Sequence, residues 1–210
     1  MRPWTGASMI GWLAGGFLLT IGSPVIAAET QKVELKPGDP APIFQAVDDQ
    51  GQPWKSAERL GQKYVVIYFY PGDFTPGCIR QALSFRDNMN KLADRGVEVV
   101  GISGDTVANH QLFKKAYHLT FTLLADENGS AAQAFGVPVG AGGQVKAMDP
   151  QTRKPLQGED GKAIELKRNV TASRWTFVID KRGRIAYKNT SVTPEQDSKQ
   201  VAEVIDRLGK

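Results

Sequence analysis

The run KYVVIYFY, Lys63 to Tyr70, is apolar, β-branched or aromatic at every position after the first, the pattern of a strand buried on both faces. From Pro76 onward the period changes: Ala82, Phe85, Met89 and Leu92 recur at spacings of three and four, which predicts an amphipathic helix. VEVVGIS then reads as a second buried strand, and Asp105 or Thr106 as the cap of a helix whose inner face carries Leu112, Phe113, Ala116 and Tyr117. FTLLAD is a third strand, and NGSAAQAFGV a turn into a short helix.

The flanks have another rhythm. A proline-punctuated lead-in reaches a short strand around Phe44 to Val47, DDQG supplies turn residues, and QPWKS returns as the second strand of a hairpin. Near the other end RWTFVID and GRIAYK, separated by KRG, read as a second hairpin. Thr193–Pro194–Glu195–Gln196 resembles a helix start, with Val201, Val204, Ile205 and Leu208 on one face. Between them Val139 to Val170 is rich in Gly, Pro, Lys and Asp and reads as an inserted loop or irregular hairpin. The order predicts one mixed α/β sandwich, with parallel strands where strands and helices alternate and antiparallel ones in the hairpins.

Composition adds bounds. With 210 residues, 41% hydrophobic and 23% charged, the chain has the make-up of an ordinary globular domain. Its net charge of +4 comes from Lys and Arg interspersed with Asp and Glu, which gives no nucleic-acid footprint. The N-terminal stretch MRPWTGASMIGWLAGGFLLTIGSPVIAAET has a positive charge at Arg2, a short apolar run and small residues at Val25 and Ala27. That is the three-part layout of a secretory signal peptide over residues 1–27, with an uncleaved anchor as the alternative. A single domain is then expected over residues 28–210, exported to a periplasm or a membrane-enclosed lumen.

Export sharpens the one cysteine, Cys78. Exported proteins usually pair their cysteines, and a lone thiol there is either buried and inert or kept for its reactivity. Cys78 falls in the first turn of the helix that follows KYVVIYFY, where backbone N–H groups lack helical partners and the helix dipole favours negative charge; both favour thiolate over thiol. Pro71 and Pro76 stiffen the approach, Pro76 fits an early helical position, and Thr75 can cap the helix or turn its hydroxyl toward the sulfur.

These residues also carry a resemblance. YFYPGDFTPGC, with the following FRD, resembles the active-site signature of the peroxiredoxins, in their bacterioferritin-comigratory or Q-type branch, and SRWTFVIDKRGRI resembles that family's second landmark. The resemblance runs from about Leu35 to the C-terminus. It implies a thioredoxin-like mixed sheet flanked by helices with an N-terminal β-hairpin extension, and an activity as a thiol-specific peroxidase toward hydrogen peroxide and organic hydroperoxides. Carried over by position, it implies that Cys78 is the peroxidatic nucleophile and becomes a sulfenic acid. Thr75 would hydrogen-bond thiolate and peroxide, Arg174 would stabilise thiolate and developing charge, and Pro71 would shield the sulfur.

Many Q-type relatives carry a resolving cysteine five residues after the first; here that position is Leu83. The resemblance therefore implies a one-cysteine enzyme whose sulfenic acid is reduced by an external thiol, a thioredoxin-like protein or glutathione, with no cofactor, no metal and a monomeric state. Trp175 is expected to narrow the pocket or pack on Arg174. Two other readings stay open. A thiol–disulfide oxidoreductase normally needs Cys-x-x-Cys, and Thr75 stands at the first of those positions. A redox sensor or binding module on the same fold would oxidise at Cys78 without turnover. His110 and His118, eight residues apart on one predicted helix, read as ordinary surface histidines rather than metal ligands.

Overall fold

In edge-to-edge order the strands Pro53–Lys55, Gln45–Asp48, Thr122–Ala125, Val97–Ser103, Tyr64–Phe69, Trp175–Ile179 and Ile185–Asn189 make the central sheet of a computed structural model that describes residues 33–209. The expected signal segment, residues 1–27, lies outside the described residues. The elements follow the chain as β1 (Gln45–Asp48), β2 (Pro53–Lys55), β3 (Tyr64–Phe69), α1 (Pro76–Ala93), β4 (Val97–Ser103), α2 (Val107–Tyr117), β5 (Thr122–Ala125), α3 (Ser130–Ala134), β6 (Val139–Lys146), β7 (Glu165–Ala172), β8 (Trp175–Ile179), β9 (Ile185–Asn189) and α4 (Asp197–Leu208). Strands β3, β4 and β5 are parallel, as their helical connections require, and the two hairpins add antiparallel strands at either side.

Strand β3 is buried at all six positions because both faces of the sheet are covered. Tyr64, Val66 and Tyr68 point into a cluster with Phe85 and Leu92 of α1, Phe113 of α2 and Val201 of α4, whereas Val65, Ile67 and Phe69 meet Phe135, Phe177 and Leu124 on the other side. Each such side chain contributes about 1.5–3 kcal/mol on burial, which fixes β3, and therefore the start of α1, at the centre of the molecule. The thioredoxin-like expectation is met.

Two details differ from expectation. The segment from Val139 onward is a regular antiparallel ribbon, β6 on β7, in register from Val139↔Ala172 to Lys146↔Glu165. Residues 140–142 are exposed in a glycine-rich run, so no apolar alternation announced it; Ala147 and Leu166 tie the ribbon to the core. Helix α4 starts at Asp197, not Thr193, because residues 194–196 form a turn, with Gln196 N–H donating to Thr193 O. Among the described residues no helix is long and apolar enough to cross a membrane.

Candidate active site

Helix α1 begins with Thr75 as its N-cap in extended backbone (φ −82°, ψ 143°), Pro76 as its first residue and Cys78 as its third. Its first turn bond runs from Ile79 N–H to Thr75 O, so the Gly77 and Cys78 amides lie ahead of the helical ladder. Cys78 is 1% exposed, yet it is not surrounded only by apolar groups. The Arg174 Nη2 donates to Cys78 Sγ at 3.1 Å. Gly77 makes that reach feasible: a Cβ there would stand 3.1 Å from Arg174 Nη2.

The Arg174 fork is held from behind. Its Nη1 donates to Gln81 Oε1, one turn along α1 from Cys78. Gln81 Nε2 donates to Asp197 Oδ2 at 2.6 Å, and Thr176 Oγ1 donates to the same oxygen at 2.8 Å. Gln81, Thr176 and Asp197 are all fully buried, and Asp197 Oδ1 has no hydrogen-bond partner among the described residues. Burial pushes the Asp197 carboxyl above the ordinary range; the Gln81 and Thr176 hydrogen bonds and the Arg174 charge pull it only partly back. The chain Asp197–Gln81–Arg174–Cys78 thus aligns one guanidinium on one sulfur.

Three further expected positions come out differently from one another. Pro71 forms one wall of an open groove whose other wall is the ribbon, at Pro138, Val139, Ala141, Ala172 and Ser173. Thr75 sits at the helix start as expected, but its hydroxyl donates to Gly72 O at 2.9 Å instead of capping the helix or turning its proton to the sulfur. With its proton given to Gly72, that oxygen keeps its acceptor lone pairs. Trp175 does not pack on Arg174. Alternation along β8 sends Thr176 toward the Asp197 side and Trp175 to the opposite face, where it meets Phe177 and carries the Lys188 Nζ 4.5 Å above its ring.

The loop before α1 is anchored by residues that the sequence reading did not assign to the site. Tyr70 Oη donates to Asp73 Oδ1 at 2.8 Å, and His110 Nδ1 pairs with Asp73 Oδ2 at 2.8 Å. The Asp73 amide donates to Asp105 Oδ2, which also accepts from Ser103 Oγ, and Asn109 Nδ2 donates to Asp105 Oδ1. His110 is fully buried, which overturns its reading as a surface residue; His118 is exposed, at the left-handed C-cap of α2. The signal was present: His110 lies three residues before Phe113 and seven before Tyr117, on the apolar face of α2. Burial opposes a charge on the His110 ring, but the Asp73 carboxylate and, behind it, Asp105 outweigh burial and raise its pKa. Next to Asp73, Phe74 is held at φ 55°, a left-handed conformation that costs a bulky residue about 1–3 kcal/mol. Its ring packs on Phe113 and Tyr117, with centroids 5.2 Å and 5.6 Å away.

Among the described residues no group of three or more His, Cys, Asp or Glu is placed to hold a metal ion. What the site offers is a buried sulfur at a helix start, one aligned cation and an acceptor hydroxyl.

The AhpC/TSA family model matches residues 37–188. The chain is 34% identical to a chloroplastic peroxiredoxin Q of Triticum aestivum, over 99% of this chain and 85% of that protein. It is 38% identical to a protein of Coxiella burnetii that carries the name peroxiredoxin bcp, over 84% of this chain and 100% of that one. Among solved structures, the peroxidoxin BcpB of Mycobacterium tuberculosis matches with a TM-score of 0.65 at 27% identity, over 83% of this chain and 99% of its own. PrxQ of Xylella fastidiosa matches in fold, with a TM-score of 0.65 at 20% identity, over 85% of this chain and 99% of its own.

Proposed function

The chain belongs to the AhpC/TSA family, among the peroxiredoxins Q and bcp, and we propose that its thiol-dependent peroxidase activity runs on Cys78, Arg174, Thr75 and Pro71. The observation that carries this division of labour is the 3.1 Å contact from Arg174 Nη2 to Cys78 Sγ at the start of α1. The Cys78 thiolate attacks one peroxide oxygen: an S–O bond forms, the O–O bond breaks, and sulfur gives up two electrons to become a sulfenic acid. The departing alkoxide or hydroxide leaves as an alcohol or water after taking a proton from solvent. Arg174 stabilises the negative charge while it moves from sulfur to the leaving oxygen, and Thr75 accepts a hydrogen bond from the peroxide O–H. Pro71 excludes water, and the apolar wall beside it offers room for the carbon chain of an organic hydroperoxide.

Cys78 is the one cysteine of the sequence, so the sulfenic acid finds no partner thiol in its own chain. An external thiol condenses with it, releasing water and leaving a mixed disulfide, and a second thiol releases Cys78 with formation of the external disulfide. We assign that role to a thioredoxin-like protein or glutathione, and we take the protein to be a monomer of one domain, residues 28–210, exported after loss of residues 1–27.

The test is the intact mass of the reduced protein after a brief equimolar pulse of hydrogen peroxide, beside Cys78→Ser and Arg174→Ala. A rapid gain of one oxygen, absent in the first variant and slowed by about 10²–10³ in the second, is expected. Reaction of Cys78 no faster than a free thiol would sink the assignment, and oxidation without recycling by any thiol would make the protein a sensor.

A further inference from the structure

Gly72 and Gly143 are glycines for want of space. Neither has the left-handed backbone that calls for glycine, and the three atoms a Cβ would meet first at either position all belong to the Arg168 guanidinium. At Gly72 the nearest is Nη1, 2.7 Å from the Cβ position; at Gly143, the cross-strand neighbour of Arg168 in the ribbon, it is Nη2 at 3.0 Å. A slot is thus cleared for one arginine between β6 and the turn that leads to Cys78. Arg168 Nε donates to Thr171 Oγ1 at 3.2 Å. Thr171 lines the open groove, and Gly72 directly follows Pro71 in the groove's other wall. The guanidinium therefore bridges the two walls.

The slot holds a cation without an anion. Arg168 is half-buried; its Nη1 is fully covered and has no hydrogen-bond partner among the described residues, and Arg168 enters no ion pair among them. Asp73, the next carboxylate along the chain from Gly72, spends its oxygens on Tyr70 and His110. Asp105 spends its own on the Asp73 amide, Ser103 and Asn109. A donor left unpaired in such surroundings gains most from an acceptor that arrives with a ligand. The peroxide site is close by. The Thr75 hydroxyl donates to Gly72 O at 2.9 Å, so one residue separates Arg168 from the oxygen that receives the peroxide O–H.

We propose that Arg168 is a specificity-determining residue of the peroxidase: it takes the carboxylate of an organic hydroperoxide whose carbon skeleton lies in the groove against Pro71, Pro138, Val139 and Ala172 and whose O–O group reaches Cys78. The inference rests on the assignment of Cys78 above and adds to it the charge of the substrate. Sulfur is oxidised to the sulfenic acid, and the hydroperoxy acid is reduced to a hydroxy acid, which leaves. Arg174 is not free for this task, since its two nitrogens serve Cys78 and Gln81. A carboxylate on the unspent Arg168 donor makes a charge-assisted bond that a neutral ester in the same groove cannot match.

The probe is 4-carboxycumene hydroperoxide beside its methyl ester, in stopped-flow measurements of Cys78 oxidation in the reduced full chain. The same pair with free cysteine sets the intrinsic ratio of the two rates, and hydrogen peroxide, which has no skeleton to bind, reports on the assembled site. Relative to free cysteine, the acid is expected to gain about tenfold over the ester, and the gain to vanish in Arg168→Met. It should shrink as salt is raised. Arg168→Lys, which keeps the charge and loses the fork, should retain part of it. No gain for the acid in wild type, beside a fast reaction with hydrogen peroxide, overturns the proposal and leaves the peroxidase assignment standing. A gain that survives in Arg168→Met overturns it as well, and so does equal slowing with all three peroxides in both variants, which would make Arg168 a brace between ribbon and loop. A wild-type Cys78 no faster than free cysteine with any of the three fails the assignment itself, and the specificity with it.

Discussion

At the scale of single residues, Arg174 is the group whose geometry matters most. Its two nitrogens serve two acceptors, Cys78 Sγ and Gln81 Oε1, and a lysine ammonium cannot span both from one rigid plane. Arg174→Lys is expected to lose most of the oxidation rate despite keeping the charge, measured as the second-order constant for Cys78 with hydrogen peroxide. Asp197→Asn tests the support behind it. The amide keeps an acceptor for Gln81 and Thr176 but removes a buried charge that burial already disfavours, so stability should hold or rise while oxidation slows several-fold as Arg174 loses the negative charge behind Gln81. Urea midpoints and oxidation rates, taken together, check both halves. The His110–Asp73 pair carries a pH signature. Because the folded His110 pKa is raised above its unfolded value, its contribution is full below about pH 6.5 and is lost as pH rises through the folded value. The Asp73 carboxyl, pushed up chiefly by burial, has the same sign: the native state holds more protons than the unfolded one. Stability should therefore fall as pH rises above about 6.5 and through the raised His110 value, and this slope should flatten in His110→Gln, as read from urea midpoints across a pH series.

At the scale of elements, α1 and α2 divide the work. The first presents Cys78 and Gln81 on one face at a spacing of three, and the second grips the turn ahead of it. Helix α2 is capped by Thr106, whose hydroxyl oxygen accepts from the Asn109 amide at 3.3 Å. Thr106→Ala should cost about 1 kcal/mol in chemical denaturation and leave the oxidation rate of the folded protein unchanged. Phe113→Ala behaves differently because Phe113 belongs both to the core and to the seat of Phe74. A loss of about 3–5 kcal/mol is expected, with slower oxidation in the molecules that remain folded. The ribbon joins this arrangement from the other side. Gly72 lets it approach: a Cβ there would fall 2.7 Å from Arg168 Nη1, inside contact distance for the guanidinium.

At the scale of the whole molecule, one cysteine sets the catalytic cycle. Peroxide treatment without a thiol should leave monomer mass plus oxygen and no intramolecular disulfide, and addition of glutathione should convert it to a mixed disulfide of matching mass. The sheet explains why the site stands where it does. Strand β3 is buried on both faces, the chain leaves it at Tyr70, and α1 starts at the carboxyl end of the parallel strands, where open α/β sheets place their binding sites.

Outside the β6–β7 ribbon, the sequence alone determined the order of elements, the two flanking hairpins, the buried character of β3 and the place of Cys78 in a helical first turn, because period, turn residues and proline position act locally. It also carried Arg174 and Thr75 as candidates through two short motifs. Tertiary structure decided the rest. Asp73 and His110 are 37 residues apart, and Gln81 and Asp197 are 116 apart, and each pair meets only because α2 and α4 dock on the sheet. The direction of the Trp175 ring was set by strand alternation once β8 paired with β3. A buried polar pair has no period of its own; it shares the apolar face of its helix, and only packing shows whether a histidine on that face is satisfied there.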